Sequence, residues 1–125
     1  MMFNKNPDKL ETFIGANSNF TGELNVEGTL RVDGTVDGRV NADYVVLSET
    51  CVVKGDITAR RIIVGGRVEG NLKAQESIEI KSKGKILGEV LTNAFIVAEG
   101  AIFDGKIEMK VDESKGLKLE SKIRN

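Results

Sequence analysis

Apolar and polar residues alternate along most of this chain, and the alternation returns about every 17 residues around a glycine. Alternation with a period of two is typical of short strands with one buried face. Its regular return indicates a repeated coil of strands rather than a repeated pair of helices. We call these residues the column glycines, and they are Gly22, Gly38, Gly55, Gly70, Gly88 and Gly105.

Three apolar columns accompany the column glycines at fixed distances. Two places before the glycine stand Phe20, Val36, Val53, Val68, Ile86 and Phe103. Two places after it stand Leu24, Val40, Ile57, Leu72, Val90 and Ile107, and four places after it stand Val26, Ala42, Ala59, Ala74, Thr92 and Met109. One coil cannot bury such columns, but coils stacked at the strand spacing of about 4.8 Å form a continuous core. We therefore predict an all-β solenoid, or β-helix, of about six coils with roughly 17 residues per coil.

The residues between the columns support this alignment. The position after each column glycine reads Glu23, Arg39, Asp56, Asn71, Glu89 and Lys106, so that no two neighbouring coils place like charges side by side. Further apolar pairs predict another face of the coil: Leu30 and Val32, Val45 to Leu47, Ile62 to Val64, Ile78 and Ile80, and Phe95 to Val97. Corners are expected at Gly28, Gly34, Gly66, Gly84 and Gly100, where glycine tolerates a positive φ.

The repeat divides the chain into a domain and two tails. Residues 1–12 lack the repeat and are interpreted as a flexible N-terminal tail, residues 13–109 form the repeat domain, and residues 110–125 form a charged C-terminal tail. Within the last segment, Leu117 and Leu119 could supply a final edge strand. The single cysteine, Cys51, is expected to be a small buried thiol. No apolar run reaches about 18 residues and no signal peptide is recognisable, so we expect a cytoplasmic protein.

Composition argues against several function classes. The net charge of −1 offers no basic field for nucleic acid. The chain has no histidine, so it lacks the imidazole base or three-imidazole zinc site of enzymes built on coiled strands. Gly65-Gly66 lacks the helix and lysine of a phosphate-binding loop. We therefore expect no enzymatic activity, no metal, no cofactor and no nucleotide.

The aromatic residues gather at the two ends of the repeat. The five phenylalanines are Phe3, Phe13, Phe20, Phe95 and Phe103, with none between the first coil and the fifth. Two interpretations fit this distribution. Large side chains could simply cap the core, or each end could be an apolar surface with unpaired strand edges that a second copy of the chain covers. No polar cap or covering helix is recognisable, which favours end-to-end assembly.

The opening of the repeat resembles that of the bactofilin domain. The resemblance rests on Ile14-Gly15, on Gly22-Glu23-Leu24 and on the run from Leu30 to Gly38, and it covers about residues 12–109. It implies a right-handed β-helix with three short faces per coil that polymerises end to end without a nucleotide into bacterial cytoskeletal filaments. It also implies a scaffold at the inner face of the cell membrane that positions cell-wall enzymes or other morphogenetic proteins.

The resemblance also implies candidate site residues. In bactofilins an aromatic residue near the C-terminal end of the core supports polymerisation, and Phe103 is the matching candidate, with Phe95 second. The other candidates for the polymerisation interface are Ile107, Phe20, Phe13 and Ile14. The N-terminus is similar to the short membrane-targeting tails of this family, and its candidate membrane-binding residues are Met1, Met2, Phe3 and Lys5.

Two questions stay open at this level. The main alternative is a monomeric β-helical binding module that presents a strand face to a cell-wall polymer or a protein partner. In a filament, subunits could join head to tail or head to head, since both orders bury the same apolar ends.

Overall fold

The chain folds into strands alone over the part that the computed structural model describes, residues 10–109 and 118–121. None of these residues forms a helix that could span a bilayer. The strands are β1 Leu10–Ile14, β2 Asn19–Asn25, β3 Thr29–Val32, β4 Thr35–Asn41, β5 Tyr44–Leu47, β6 Val52–Val64, β7 Arg67–Glu69, β8 Leu72–Ile80, β9 Lys85–Thr92, β10 Ala94–Val97, β11 Ile102–Met109 and β12 Lys118–Ser121.

Each coil turns through three faces. The first face ends at the column glycine and the second begins after it, so β2, β4, β9 and β11 each carry residues of both faces. The long strand β6 runs through all three faces. The third face consists of β1, β3, β5, residues 61–64 of β6, residues 77–80 of β8, β10 and β12, which stack in that order.

All neighbouring strands pair in parallel, and their register aligns the column glycines. Gly22 lies opposite Gly38, Gly38 opposite Gly55, and Gly88 opposite Gly105. The same register places Glu23 opposite Arg39. The predicted all-β solenoid of about six coils, with roughly 17 residues per coil, is confirmed.

The predicted columns form the core. Val36, Val53, Val68 and Ile86 have no exposed surface, and the third face adds fully buried pairs such as Ile78 and Ile80. Cys51 is also buried, as expected, and this burial, with a contribution from the charge of Asp33, raises the pKa of its thiol to about 12. The core is therefore one continuous apolar column along the axis of the stack.

The corner glycines serve two different purposes. Gly28 and Gly100 have positive φ angles of 111° and 93°, as the sequence predicted. Gly34, Gly66 and Gly84 do not have positive φ, so the expectation was wrong for them. At Gly34 a Cβ atom would instead overlap the carbonyl oxygens of Gly15 and Ser18 in the preceding coil. These corners need glycine because the backbones approach closely, not because of an unusual φ.

Candidate functional site at the two ends of the solenoid

The N-terminal end of the stack carries unpaired strand edges. Among the described residues, β2 pairs only with β4 and β1 only with β3, so the other edge of each strand has no partner. Phe20 and Leu24 belong to inward columns but are only partly buried, because no coil of the described residues precedes theirs in the stack. Ile14 is buried on the third face. This end thus combines open backbone with accessible core residues.

Phe13 lies outside the core at this end. Its neighbour in the next coil, Arg31, is exposed on the outer surface, and 54% of Phe13 itself is exposed. Leu10 on the same strand is 52% exposed. Phe13 is therefore separated from Phe20 and Ile14, the other two candidates at this end, which contact the core.

The C-terminal end is open on two faces. Among the described residues, β11 pairs only with β9, and its inward residues Phe103 and Met109 are partly buried. Ile107 is 39% exposed, whereas Val90, its neighbour in the preceding coil, is 1% exposed. On the third face, β12 adds one more strand beside β10. The sequence offered Leu117 and Leu119 for a final edge strand. Leu117 lies outside the described residues, and the register places Leu119 opposite Phe95.

Phe95 and Phe103 form an aromatic pair at this end. Their ring centroids lie 5.4 Å apart and their planes make an angle of 68°, an edge-to-face arrangement. Such a pair contributes about 0.5–1.5 kcal/mol beyond burial. Phe95 is 4% exposed and belongs to the core. It therefore packs against Phe103 from the interior of the stack and does not form part of the end surface.

The outer surface beside Ile107 offers no specific ligand chemistry. A groove of about 370 Å³ lies on the second face of the last three coils, and it is bordered by Lys73, Glu89, Lys106 and Glu108. This balance of charges favours neither an anion nor a cation. Over residues 10–109 and 118–121, no three His, Cys, Asp or Glu side chains form a group that could hold a metal ion.

The predicted site residues therefore divide into four groups. Phe103, Ile107 and Phe20 lie at the ends of the stack, Phe95 and Ile14 are buried next to them, and Phe13 lies on the outer surface. Met1, Met2, Phe3 and Lys5 fall outside the described residues. The exposed residues Leu10 and Ile102, which is 50% exposed, were missed. Ile102 could have been found from the alternation, because its neighbour Phe103 points inward.

The solenoid and its repeat are similar to proteins of known family. A family model described as "Bactofilin: Polymer-forming cytoskeletal" matches residues 12–108. Bactofilin BacO of Myxococcus xanthus (strain DK1622) is 29% identical over 103 residues, which are 82% of this chain and 82% of that protein. Bactofilin BacP of the same organism is 31% identical over 99 residues, or 78% of this chain and 41% of that longer protein. A cryo-EM reconstruction of Thermus thermophilus bactofilin double helical filaments has a TM-score of 0.73 and 23% identity, covering 80% of this chain and 100% of that chain.

Proposed function

The chain belongs to the bactofilin family of polymer-forming cytoskeletal proteins, and from this membership we propose that it assembles end to end, without a nucleotide, into membrane-associated filaments. These filaments act as a cytoplasmic scaffold, at the inner face of the cell membrane, for cell-shape or cell-wall proteins. The filament form of the Thermus relative supports the proposal.

The observation that carries this proposal is the open, apolar character of both ends. At the C-terminal end, β11 has an unpaired edge among the described residues, and Ile107 of its core column is 39% exposed. At the other end, no described strand pairs with the outer edge of β2, which lies beside the partly buried Phe20. An unpaired strand edge with apolar neighbours is a template for another strand. A second copy would satisfy the open backbone groups and complete the burial of both columns.

Membrane association follows from combining the tail with assembly. Burying Met1, Met2 and Phe3 would contribute about 1.5–3 kcal/mol each at most, so one tail binds only marginally. A filament presents many tails at once, and each bound tail raises the effective concentration of its neighbours. Weak anchors therefore become sufficient once the subunits are joined.

Electron microscopy and sedimentation without nucleotide test the assembly. We compare the wild-type chain with Phe103→Arg, which places a charge on an inward position of the end strand. Glu108→Arg is the matched control, because it adds the same side chain to the same strand at an exposed position. We expect filaments from the wild type and the control, and folded, soluble particles from Phe103→Arg. Wild-type chains that stay monomeric at high concentration would refute the proposal and favour a monomeric binding module.

A further inference from the structure

The outer surface of the third face is unusually apolar. Along β3, β5, β10 and the third-face part of β6, buried residues alternate with residues directed outward. The central outward column runs through six neighbouring coils in register. Its members in these six coils are Phe13, Arg31, Val46, Ile63, Glu79 and Ile96, and the register continues it to Glu120 of β12. Four of these six are apolar, and no outward column of the other two faces has more than two apolar members.

The charges of this face are nearly balanced, so its apolar column is not surrounded by an excess of either charge. On β1 to β10 its outward positions carry two arginines, Arg31 and Arg61, and two acids, Glu11 and Glu79. Arg31 forms an ion pair of 3.0 Å with Asp33, and Glu79 forms one of 2.9 Å with Lys81. Glu76 lies at the adjoining corner, where it accepts bonds from both Arg60 and Arg61. Burial raises the pKa of Glu76, but these two bonds outweigh it and leave the pKa below its ordinary value. Asp43 also interacts with Arg60, so the two arginines and the two carboxylates of this corner balance.

Tyr44 adds an amphipathic ring to the same surface. It is half-buried, and the guanidinium groups of Arg60 and Arg61 lie 5.9 and 5.6 Å from its ring centroid. Tyrosine rings and arginine side chains both suit the boundary between water and hydrocarbon, because each has an apolar body and a polar end. The combination with Val46 and Ile63 is typical of a surface that meets lipid headgroups.

The N-terminal segment enters the fold on this face. Residues 1–9, with Met1, Met2 and Phe3 at their start, lead directly into β1. On that strand Leu10 and Phe13 are more than half exposed. Nine residues reach at most about 30 Å, so a lipid-bound tail holds the end of this face close to the bilayer.

From this geometry we propose that the third face is the side of the solenoid that lies on the membrane, with Phe13 and Leu10 entering the lipid surface next to the tail. The proposal rests on the membrane association proposed above. The occupant is a lipid bilayer. In this arrangement the first and second faces, with their mixed charges, remain available to water and to other proteins.

A fluorescence experiment on the full chain tests which face meets the lipid. Ser77→Cys places a label on the third face, and Thr35→Cys and Thr58→Cys place it on the first and second faces of other coils. Labelling is selective because the only native cysteine, Cys51, is buried. With vesicles of phosphatidylcholine and phosphatidylglycerol, we expect an environment-sensitive dye at position 77 to brighten and shift to the blue. Dyes at positions 35 and 58 should not change.

The possible outcomes distinguish the orientation of the third face from the membrane association on which it rests. If the wild type does not bind the vesicles at all, membrane association itself is wrong. If it binds but the three positions respond equally, only the face is wrong. A change at position 77 that accompanies assembly without lipid would assign this face to contacts between filaments and overturn the proposal.

A pair of matched substitutions gives a second readout. Phe13→Ser and Ile102→Ser each remove an apolar side chain that is at least half exposed, one on the third face and one on the first. We expect Phe13→Ser to weaken vesicle binding about tenfold, from the lost burial of one aromatic ring, and to leave filament assembly intact. Ile102→Ser should bind vesicles as the wild type does. Equal binding by both variants would overturn the proposal.

Discussion

A side chain on Gly55 would collide with the carbonyl oxygen of Gly38, the residue that lies opposite it in the preceding coil. The same overlap recurs at Gly38, Gly70, Gly88 and Gly105, each against the glycine before it. Gly22 differs, because the nearest atoms to its missing Cβ are carbons of the Phe20 ring at 3.9 Å. The column glycines therefore allow coils to stack closely, and Gly22 would face the next subunit.

Alanine substitutions at Gly55 and Gly22 separate close packing from backbone strain. Both residues have a similar positive φ, 140° and 133°, so alanine costs about 1–3 kcal/mol of strain at either position. At Gly55 the collision with Gly38 adds to this cost. We expect Gly55→Ala to be unfolded or several kcal/mol less stable than Gly22→Ala, as measured by urea unfolding at low protein concentration.

The same two variants differ in assembly. Gly22→Ala should stay folded but form fewer filaments, because its new methyl group projects from the N-terminal end. Filaments of normal length and abundance from Gly22→Ala would show that no backbone approaches this glycine closely in the polymer.

Phe95→Ala and Phe103→Ala test the division between core and end surface. Phe95 is 4% exposed, so its truncation should cost about 3–5 kcal/mol and leave little folded protein. Phe103 is only partly buried, so Phe103→Ala should fold and lose assembly instead. Thermal unfolding and sedimentation of the two variants measure these effects. A Phe95→Ala chain that is stable but does not assemble would place Phe95 in the interface, as the sequence suggested.

The sequence predicts the stacking well because every coil has the same spacing between its column glycine and its inward residues. Each inward residue meets its counterpart in the next coil, so a fixed distance from a glycine is enough to place Val53 against Val36 and Val68. The orientation of Phe13 could not be predicted in this way. It lies before the first column glycine, and no earlier coil defines which of Phe13 and Ile14 faces the core. Once β1 is aligned with β3, Ile14 lies opposite the buried Val32 and Phe13 opposite the exposed Arg31.

The reason why glycine is needed at each corner also could not be predicted from the sequence. Spacing alone shows that Gly34 and Gly66 stand at corners, but it does not distinguish a positive φ from close contact between backbones. At Gly66, a Cβ atom would overlap the carbonyl oxygen of Ser48 in the coil below. That contact depends on how the corner of one coil lies over the corner of the next.

The buried thiol of Cys51 predicts a dependence of stability on alkaline pH. Its pKa is raised from the ordinary value of 9.0 to about 12 in the folded chain. Below pH 9 the thiol is protonated in both states and contributes no slope. Between pH 9 and 12 the unfolded chain loses this proton and the folded chain keeps it, so stability falls by about 1.4 kcal/mol per pH unit. Urea unfolding at pH 8, 9 and 10.5 measures the slope.

Cys51→Ala is the control for this slope. Lysines also titrate in this range and affect both proteins equally, so only the difference between the two slopes reports on the thiol. Between pH 9 and 10.5, we expect the free energy of unfolding of the wild type to fall by roughly 1–2 kcal/mol more than that of Cys51→Ala. Parallel pH profiles would mean that Cys51 ionises in the folded chain as readily as in the unfolded one.

Membrane binding should depend on polymerisation. In Phe103→Arg the tail residues Met1, Met2 and Phe3 are intact, but the subunits no longer share anchors along a filament. Since a single weak anchor binds marginally, we expect this variant to remain in the supernatant when vesicles sediment, while the wild type and Glu108→Arg pellet with them. Dilution below the assembly concentration should release the wild type from the vesicles as well. A Phe103→Arg monomer that sediments with vesicles as strongly as wild-type filaments would mean that one tail is a sufficient anchor, and that avidity is not what holds the filament on the membrane.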